Sequence, residues 1–374
     1  MRRTLGRAAA GFAAATLALT GLAACSAERE GTTGGESAAA EETIVGIAMP
    51  TRSLERWNND GDHLKALLEE AGYKVSLQYA DNKVEQQITQ IQNMVNEGAD
   101  ILVVASIDGT ALAPVLADAK AKDATVIAYD RLINGTPDVD YYATFDNELV
   151  GTLQGQFIEE QLGLKDGEGP FNLEPFAGSP DDNNAKFFFK GAWDVLLPYV
   201  ESGQLVVPSG KSPASVDEWT SIGIQGWESA KAQSEMENRL NSFYQDKKVN
   251  VVLSPNDSLA LGIAQALESA GYAPGAEYPV ITGQDADLAN TKNILADKQS
   301  MSVWKDTRTL GNQVAKMVDS IVAGEEPEVN DTETYDNGEK VVPSFLLEPQ
   351  VVTKDDVESA LVESGFFDAS ELGL

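Results

Sequence analysis

His63 is the only histidine and Cys25 the only cysteine in this chain of 374 residues. Nucleophilic catalysis by a Ser-His-Asp or Cys-His arrangement would therefore have to run through one of them. His63 sits among Asp60, Asp62, Leu64 and Lys65 in a segment of helical periodicity, where an imidazole on a helix surface is the simpler reading. Two such residues cannot supply a metal cluster built on His and Cys ligands, so no metal is expected. Gly210-Lys211-Ser212 has the ending of a phosphate-binding loop, but Leu205 stands where its first glycine belongs, and no Gly-x-Gly-x-x-Gly follows a strand pattern. A pair of carboxylates could hydrolyse a glycoside, yet nothing in the order of the many acidic residues singles out a pair.

The elements that would position any site are easier to read. Buried-strand patterns fall at Thr43–Met49, Lys74–Tyr79, Ile101–Ala105, Thr125–Tyr129, Phe171–Phe176, Leu205–Val207, Val249–Leu253, Pro279–Thr282 and Ser302–Trp304. Helical patterns fall between them, at Trp57–Ala71, Glu85–Glu97, Ala111–Lys122, Glu148–Leu162, Asn184–Tyr199, Trp227–Tyr244, Ser258–Ala270, Leu288–Asp297 and Thr307–Val322. Glu85–Glu97, for example, puts Ile88, Ile91, Met94 and Val95 on one face and stops at Gly98. Strand and helix in alternation predict an α/β fold of parallel sheets with helices on both faces.

Such sheets bind ligands beyond the carboxyl ends of their strands. The residues there are Pro50-Thr51-Arg52, Ser106-Ile107-Asp108, Asp130-Arg131, Ser254-Pro255-Asn256-Asp257, Gln284-Asp285 and Lys305. Helix capping accounts for Asp and Asn at these places. It does not account for Arg131, Gln284 and Lys305, and the set as a whole points to a polar cleft.

The N-terminus has a basic start at Arg2, Arg3 and Arg7, an apolar run from Ala8 to Leu22, and small residues ahead of Cys25. This is the pattern of a signal peptide over residues 1–24. The run is short for a membrane span of about 20 apolar residues. Leu22-Ala23-Ala24-Cys25 resembles a bacterial lipobox, which makes Cys25 the expected lipidation site. Residues 25–42 are rich in Gly, Ser, Thr, Ala and Glu and read as a flexible tether. Without residues 1–24 the chain has 24 basic and 59 acidic residues, a net charge of −35. A surface of that sign repels phosphate backbones, so no nucleic acid partner is expected, and the membrane is met only through the lipid.

Several blocks of sequence carry a resemblance. They are Leu54-Glu55-Arg56-Trp57, Ala128 to Ile133, Tyr142 to Asn147, Gly178 to Ala185, Gly283 to Asp287, Lys305 to Arg308 and Glu328 to Ser344. In this order they resemble the sugar-binding branch of the type I periplasmic binding proteins, closest to its ChvE-type multiple-sugar receptors and its xylose-binding receptors of ABC transporters. The resemblance implies two doubly wound parallel-sheet domains joined by a three-strand hinge. It assigns residues 43–146 plus 306–340 to the N-terminal domain and 147–305 plus 341–374 to the C-terminal domain.

By position, the resemblance implies sugar contacts from Arg56, Trp57, Asp130 and Arg131 in the first domain. Asn184, Trp227, Asn256 and Asp285 come from the second, with Lys305 on the hinge side and Trp57 as an apolar wall. An aldose suits such a set. Carboxylates accept from its hydroxyls, Arg, Lys and Asn donate to its oxygens, and tryptophan covers its C–H face. Asn256 matches the xylose receptors, where the ChvE type carries an aromatic residue, which leaves the preferred sugar open between xylose-like and glucose-like. The implied function is an extracytoplasmic, monomeric receptor without cofactor or catalytic residues. It would capture xylose, glucose, galactose or arabinose by hinge closure and hand it to an ABC transporter permease. The alternatives are a sensor that presents the closed form to a membrane kinase or chemoreceptor, and a glycosidase.

Overall fold

The computed structural model describes residues 43–374. The signal peptide, Cys25 and the tether lie outside the described residues.

The first lobe is built from β1 (Ile44–Met49), α1 (Glu55–Glu70), β2 (Lys74–Tyr79), α2 (Val84–Asn96), β3 (Ile101–Val104), α3 (Ala113–Lys120), β4 (Thr125–Tyr129) and β5 (Tyr141–Phe145). The second lobe follows with α4 (Asn147–Gln161), β6 (Phe171–Pro175), α5 (Asn183–Ser202), β7 (Leu205–Val206), α6 (Ser229–Phe243), β8 (Val251–Leu253), α7 (Asp257–Ser269), β9 (Val280–Ile281), α8 (Leu288–Leu295) and β10 (Met301–Trp304). The chain then returns to the first lobe through α9 (Thr307–Ala323) and β11 (Ser344–Leu347), and ends in the second with β12 (Gln350–Thr353), a π-helical turn at Val357–Val362 and the short α10 (Ala369–Leu372).

The first sheet runs β11-β5-β4-β3-β1-β2, with every pair parallel. The second runs β7-β6-β8-β9, also parallel. A single bridge from Gln284 to Val303 extends it to β10, which pairs antiparallel with β12. Strands buried on both faces are apolar runs, as in Ile-Leu-Val-Val of β3, which is fully buried. This is the doubly wound, two-lobed fold the sequence predicts.

Three crossings join the lobes, at β5 to α4, β10 to α9 and β11 to β12. The first two share one local design: an aspartate directly ahead of the helix caps one of its first amides, with Lys305 intervening after the strand in the second. Leu149 N donates to Asp146 Oδ1 (2.9 Å) and Arg308 N to Asp306 Oδ1 (3.1 Å). The third crossing differs from expectation. A division after residue 340 assigns Ser344–Leu347 to the second domain, but these residues lie opposite Tyr142–Phe145 and complete the first sheet. Their parallel hydrogen bonds with β5 place the crossing at Glu348 and Pro349.

In the second lobe α4 and α5 pack with almost no gap. A Cβ on Gly151 would stand 1.9 Å from the Phe188 carbonyl oxygen, and one on Gly191 would stand 2.0 Å from that of Glu148. Trp193, read as core from its helix face, is fully buried and stacks on Phe189. His63 is half-buried on α1, within 3.1 Å of Asn312 on α9.

Candidate functional site

The strand ends of both sheets face each other across one cavity. Arg56, Trp57, Asp130, Arg131, Asn184, Trp227, Asn256, Asp285 and Lys305 all line it, and Leu54, Asp182, Phe188 and Gln284 complete the wall. The space between these side chains, part of it open to solvent, is about 290 Å³.

Arg56 stands at the centre. Its guanidinium lies 3.1 Å from Asp60, 2.9 Å from Asp130 and 3.3 Å from Asp285. Asp60 is one helical turn along α1 and fully buried, and it also accepts a hydrogen bond from the Tyr129 hydroxyl. Lys305 reaches the same two facing carboxylates, 3.2 Å from Asp285 and 3.7 Å from Asp130. The Arg131 Nε lies 2.9 Å from Asp182 Oδ2, which also accepts from the Trp227 indole at 3.0 Å. Arg56–Asp285 and Arg131–Asp182 therefore bridge the lobes from two sides.

Burial and pairing pull these groups in opposite directions. Burial works to raise the Asp130 carboxyl, but Arg56, Lys305 and Arg131 outweigh it and hold it below its ordinary value. At Asp182 burial prevails over Arg131, and the carboxyl is raised. At Asp60 burial pushes the carboxyl up to about 6 despite Arg56. The lining itself carries three cations and three carboxylates, so it matches an uncharged ligand rich in donors and acceptors.

Three of the site residues have left-handed backbones: Asp130 (φ 58°), Trp227 (φ 56°) and Asp285 (φ 98°). Few non-glycine residues adopt this region, and each instance costs about 1–3 kcal/mol. Surrounding hydrogen bonds hold them there. The Asp130 carbonyl accepts from Tyr142 Oη (2.7 Å), Thr144 Oγ1 (2.9 Å) and, from the other lobe, Asn184 Nδ2 (2.7 Å). The Trp227 carbonyl accepts from Ser258 Oγ at 2.9 Å. Trp227 does not begin a helix, as its periodicity suggests. It closes a short 3₁₀ turn after Gly226 (φ 74°), and the helix starts at Ser229.

Other expectations are refined. The Trp57 ring is covered by the guanidinium carbons of Arg56 (4.5 Å) and Arg131 (5.0 Å), so it seats two cations as well as walling the cavity. Its indole Nε1, like Gln284 Oε1, is buried and finds no partner among the described residues. Asn256 caps α7, its Oδ1 accepting from Leu259 N (3.0 Å), and also lines the cavity. Gly210 closes a turn from Val207, and the Lys211 that follows pairs with Glu235 at 3.3 Å.

Asp182 and Phe188 were missed as wall residues. Asp182 caps α5 at Asn184 N (3.0 Å), and the cap hides its second use. Phe188 follows Asn184 by one helical turn, and that spacing was the available signal.

A periplasmic binding protein domain matches residues 45–326. The multiple sugar-binding periplasmic receptor ChvE of Rhizobium radiobacter is 49% identical over 335 residues, covering 89% of this chain and 93% of that protein. The D-xylose-binding periplasmic protein of Escherichia coli strain K12 is 38% identical, covering 90% and 94%. A solved ABC transporter solute-binding protein from Clostridium phytofermentans, with bound β-D-glucose, is 51% identical. It superposes with a TM-score of 0.84 over 88% of this chain and 100% of that one.

Proposed function

This chain belongs to the type I periplasmic sugar-binding proteins, and from that premise we propose that it is a lipid-anchored receptor that closes on one aldose and delivers it to an ABC importer. The observation that carries the ligand class is the charge-balanced lining. Arg56, Arg131 and Lys305 face Asp130, Asp182 and Asp285 across the cavity. A neutral polyol uses both kinds of partner at once, whereas a sugar acid or an amine would leave one set uncompensated. Trp227 and Phe188 supply the apolar wall for a C–H face. The relatives support the same class, since one solved relative holds β-D-glucose and another is a D-xylose receptor.

Closure follows from the placement of these groups on two lobes. A ligand that touches both stabilises the closed form by its differential contacts. Calorimetry with xylose, glucose, galactose and arabinose tests the reading. Heat and a raised Tm with at least one sugar are expected, and silence across the panel at millimolar concentration overturns it. The anchor is tested separately: Cys25→Ser should release the protein from the membrane fraction.

A further inference from the structure

One buried carboxyl lies beneath the second lobe's part of the cavity without lining it. Asp257 is fully buried at the start of α7. Its Oδ1 accepts from Gln299 Nε2 (2.8 Å) and Ser302 Oγ (3.0 Å), and its Oδ2 accepts from the Asp287 amide (2.9 Å) and the same Ser302 Oγ (3.0 Å). Its carbonyl accepts from Asn290 Nδ2 (2.9 Å), which also donates to Gln299 Oε1 at 2.7 Å. Ser302 Oγ in turn accepts the Ala286 amide at 3.0 Å. A Cβ on Gly283 would stand 2.0 Å from Asp257 Oδ1, so the backbone has closed onto this group.

These bonds converge on three cavity residues. Asn256 precedes Asp257. Asp285 and Ala286, both left-handed (φ 98° and 54°), are followed by the amide that Asp257 holds. Ser302 lies on β10, whose end carries Lys305. We infer that Asp257 is a positioning residue that fixes Asn256, Asp285 and Lys305 relative to one another without touching the ligand. The acceptor requirement is strict. Each carboxyl oxygen receives an N–H donor that cannot turn into an acceptor: the Asp287 main-chain amide on one side, and the Gln299 amide, fixed by Asn290, on the other. Asparagine would set its own NH₂ against one of them, leaving a buried donor unpaired. The other titratable groups facing Asp257 are the carboxyls of Asp285 and Asp287.

The choice of ligand in the test rests on the sugar reading, while the positioning itself does not. The first arm uses sugar-free protein. Amide hydrogen exchange over residues 284–290 should be roughly tenfold faster or more in Asp257→Asn and Ser302→Ala, with the first sheet unchanged. Unaltered exchange in that segment overturns the inference. The second arm uses any aldose that binds the unsubstituted protein. Asp257→Asn should weaken binding roughly tenfold or more, and most of that loss should vanish in an Asp285→Asn background but persist in Arg131→Lys. A loss that adds fully to Asp285→Asn, or a change below about twofold, overturns it. Should Asp257→Asn fail to fold, Ser302→Ala, which removes only the Ala286 anchor and one carboxyl donor, decides both arms. If no aldose binds, the sugar reading falls and the exchange arm still decides the position of Asp257.

Discussion

Arg56 Nη1, from the first lobe, lies 3.3 Å from Asp285 Oδ1 in the second, and the same guanidinium pairs with Asp60 and Asp130. Arg56→Ala would leave three buried carboxylates with less compensation. Truncating one partner of such a pair costs about 2–5 kcal/mol. We expect sugar affinity by calorimetry to fall roughly a hundredfold or more, with a lower Tm. Arg56→Lys should rescue little, because a single ammonium cannot reach three carboxylates in the guanidinium's fork geometry.

Gly178 and Trp227 meet more closely than any side chain allows. A Cβ on Gly178 would stand 2.0 Å from Trp227 Cη2. Gly178→Ala should displace the indole from the cavity wall at a cost of about 1–3 kcal/mol in stability. Calorimetry should show weaker sugar binding, and the ligand-induced change in tryptophan fluorescence should shrink with it.

Asp182 holds Arg131 from one lobe and the Trp227 indole from its own. Asp182→Asn keeps the shape but removes the charge and one acceptor. The expected loss in affinity is on the order of tenfold to a hundredfold. Arg131→Ala made on top of it should cost less than it does alone, and a double-mutant cycle measures that difference.

Buried aspartates with raised carboxyls make stability depend on pH, Asp60, Asp182, Asp257 and Asp287 among them. Burial raises Asp60 to about 6, against Arg56, and raises Asp257 to about 8, with Asp285 adding like charge. An unfolded aspartate titrates near ~4. Both groups therefore bind protons more tightly in the folded state, and their contribution to stability is fully present below pH ~4. It is lost as pH rises through about 6 and then about 8. Asp130, Glu159, Glu235 and Asp331 are lowered and act in the opposite sense, losing their contribution as pH falls below ~4. Denaturant melts at several pH values should thus show a maximum in mildly acid solution. Asp257→Asn, where it folds, should flatten the decline towards pH 8.

Much of the fold was legible because its strands are buried on both faces and stand out as short apolar runs, as in β1, β3 and β4. Tyr141–Phe145 carries no strand pattern in the sequence, although Tyr142 to Asn147 is one of the blocks that carry the resemblance. Its two tyrosines and a threonine give no clean apolar run, and its outer partner is Ser344–Leu347, which no local pattern connects to it. Periodicity draws Trp227 into the following helix because it does not register the left-handed break at Gly226. At the site, position alone gave a polar cleft, since a strand-end residue is exposed to ligand whatever its role. The resemblance selected nine residues that the structure brings to one cavity. What neither could give was the second use of a residue already explained: Asp182 behind its helix cap, Asp60 as an apparent helix-surface acid, and Asp257 beneath Asn256.

The return of the chain through β11 has a consequence for how the molecule is made. The first lobe has five of its six strands by Phe145, yet its sheet lacks the strand that covers β5 until residues 344–347 have emerged. Through most of synthesis, a growing chain would carry the unpaired N–H and C=O groups of Tyr141–Phe145 along an open edge. Such an edge is a template for pairing with any other strand. A truncation between Gly324 and Pro343 keeps every residue of the cavity wall but leaves that edge permanently open. Shortened forms should therefore fail by self-association before they fail by losing their ligand.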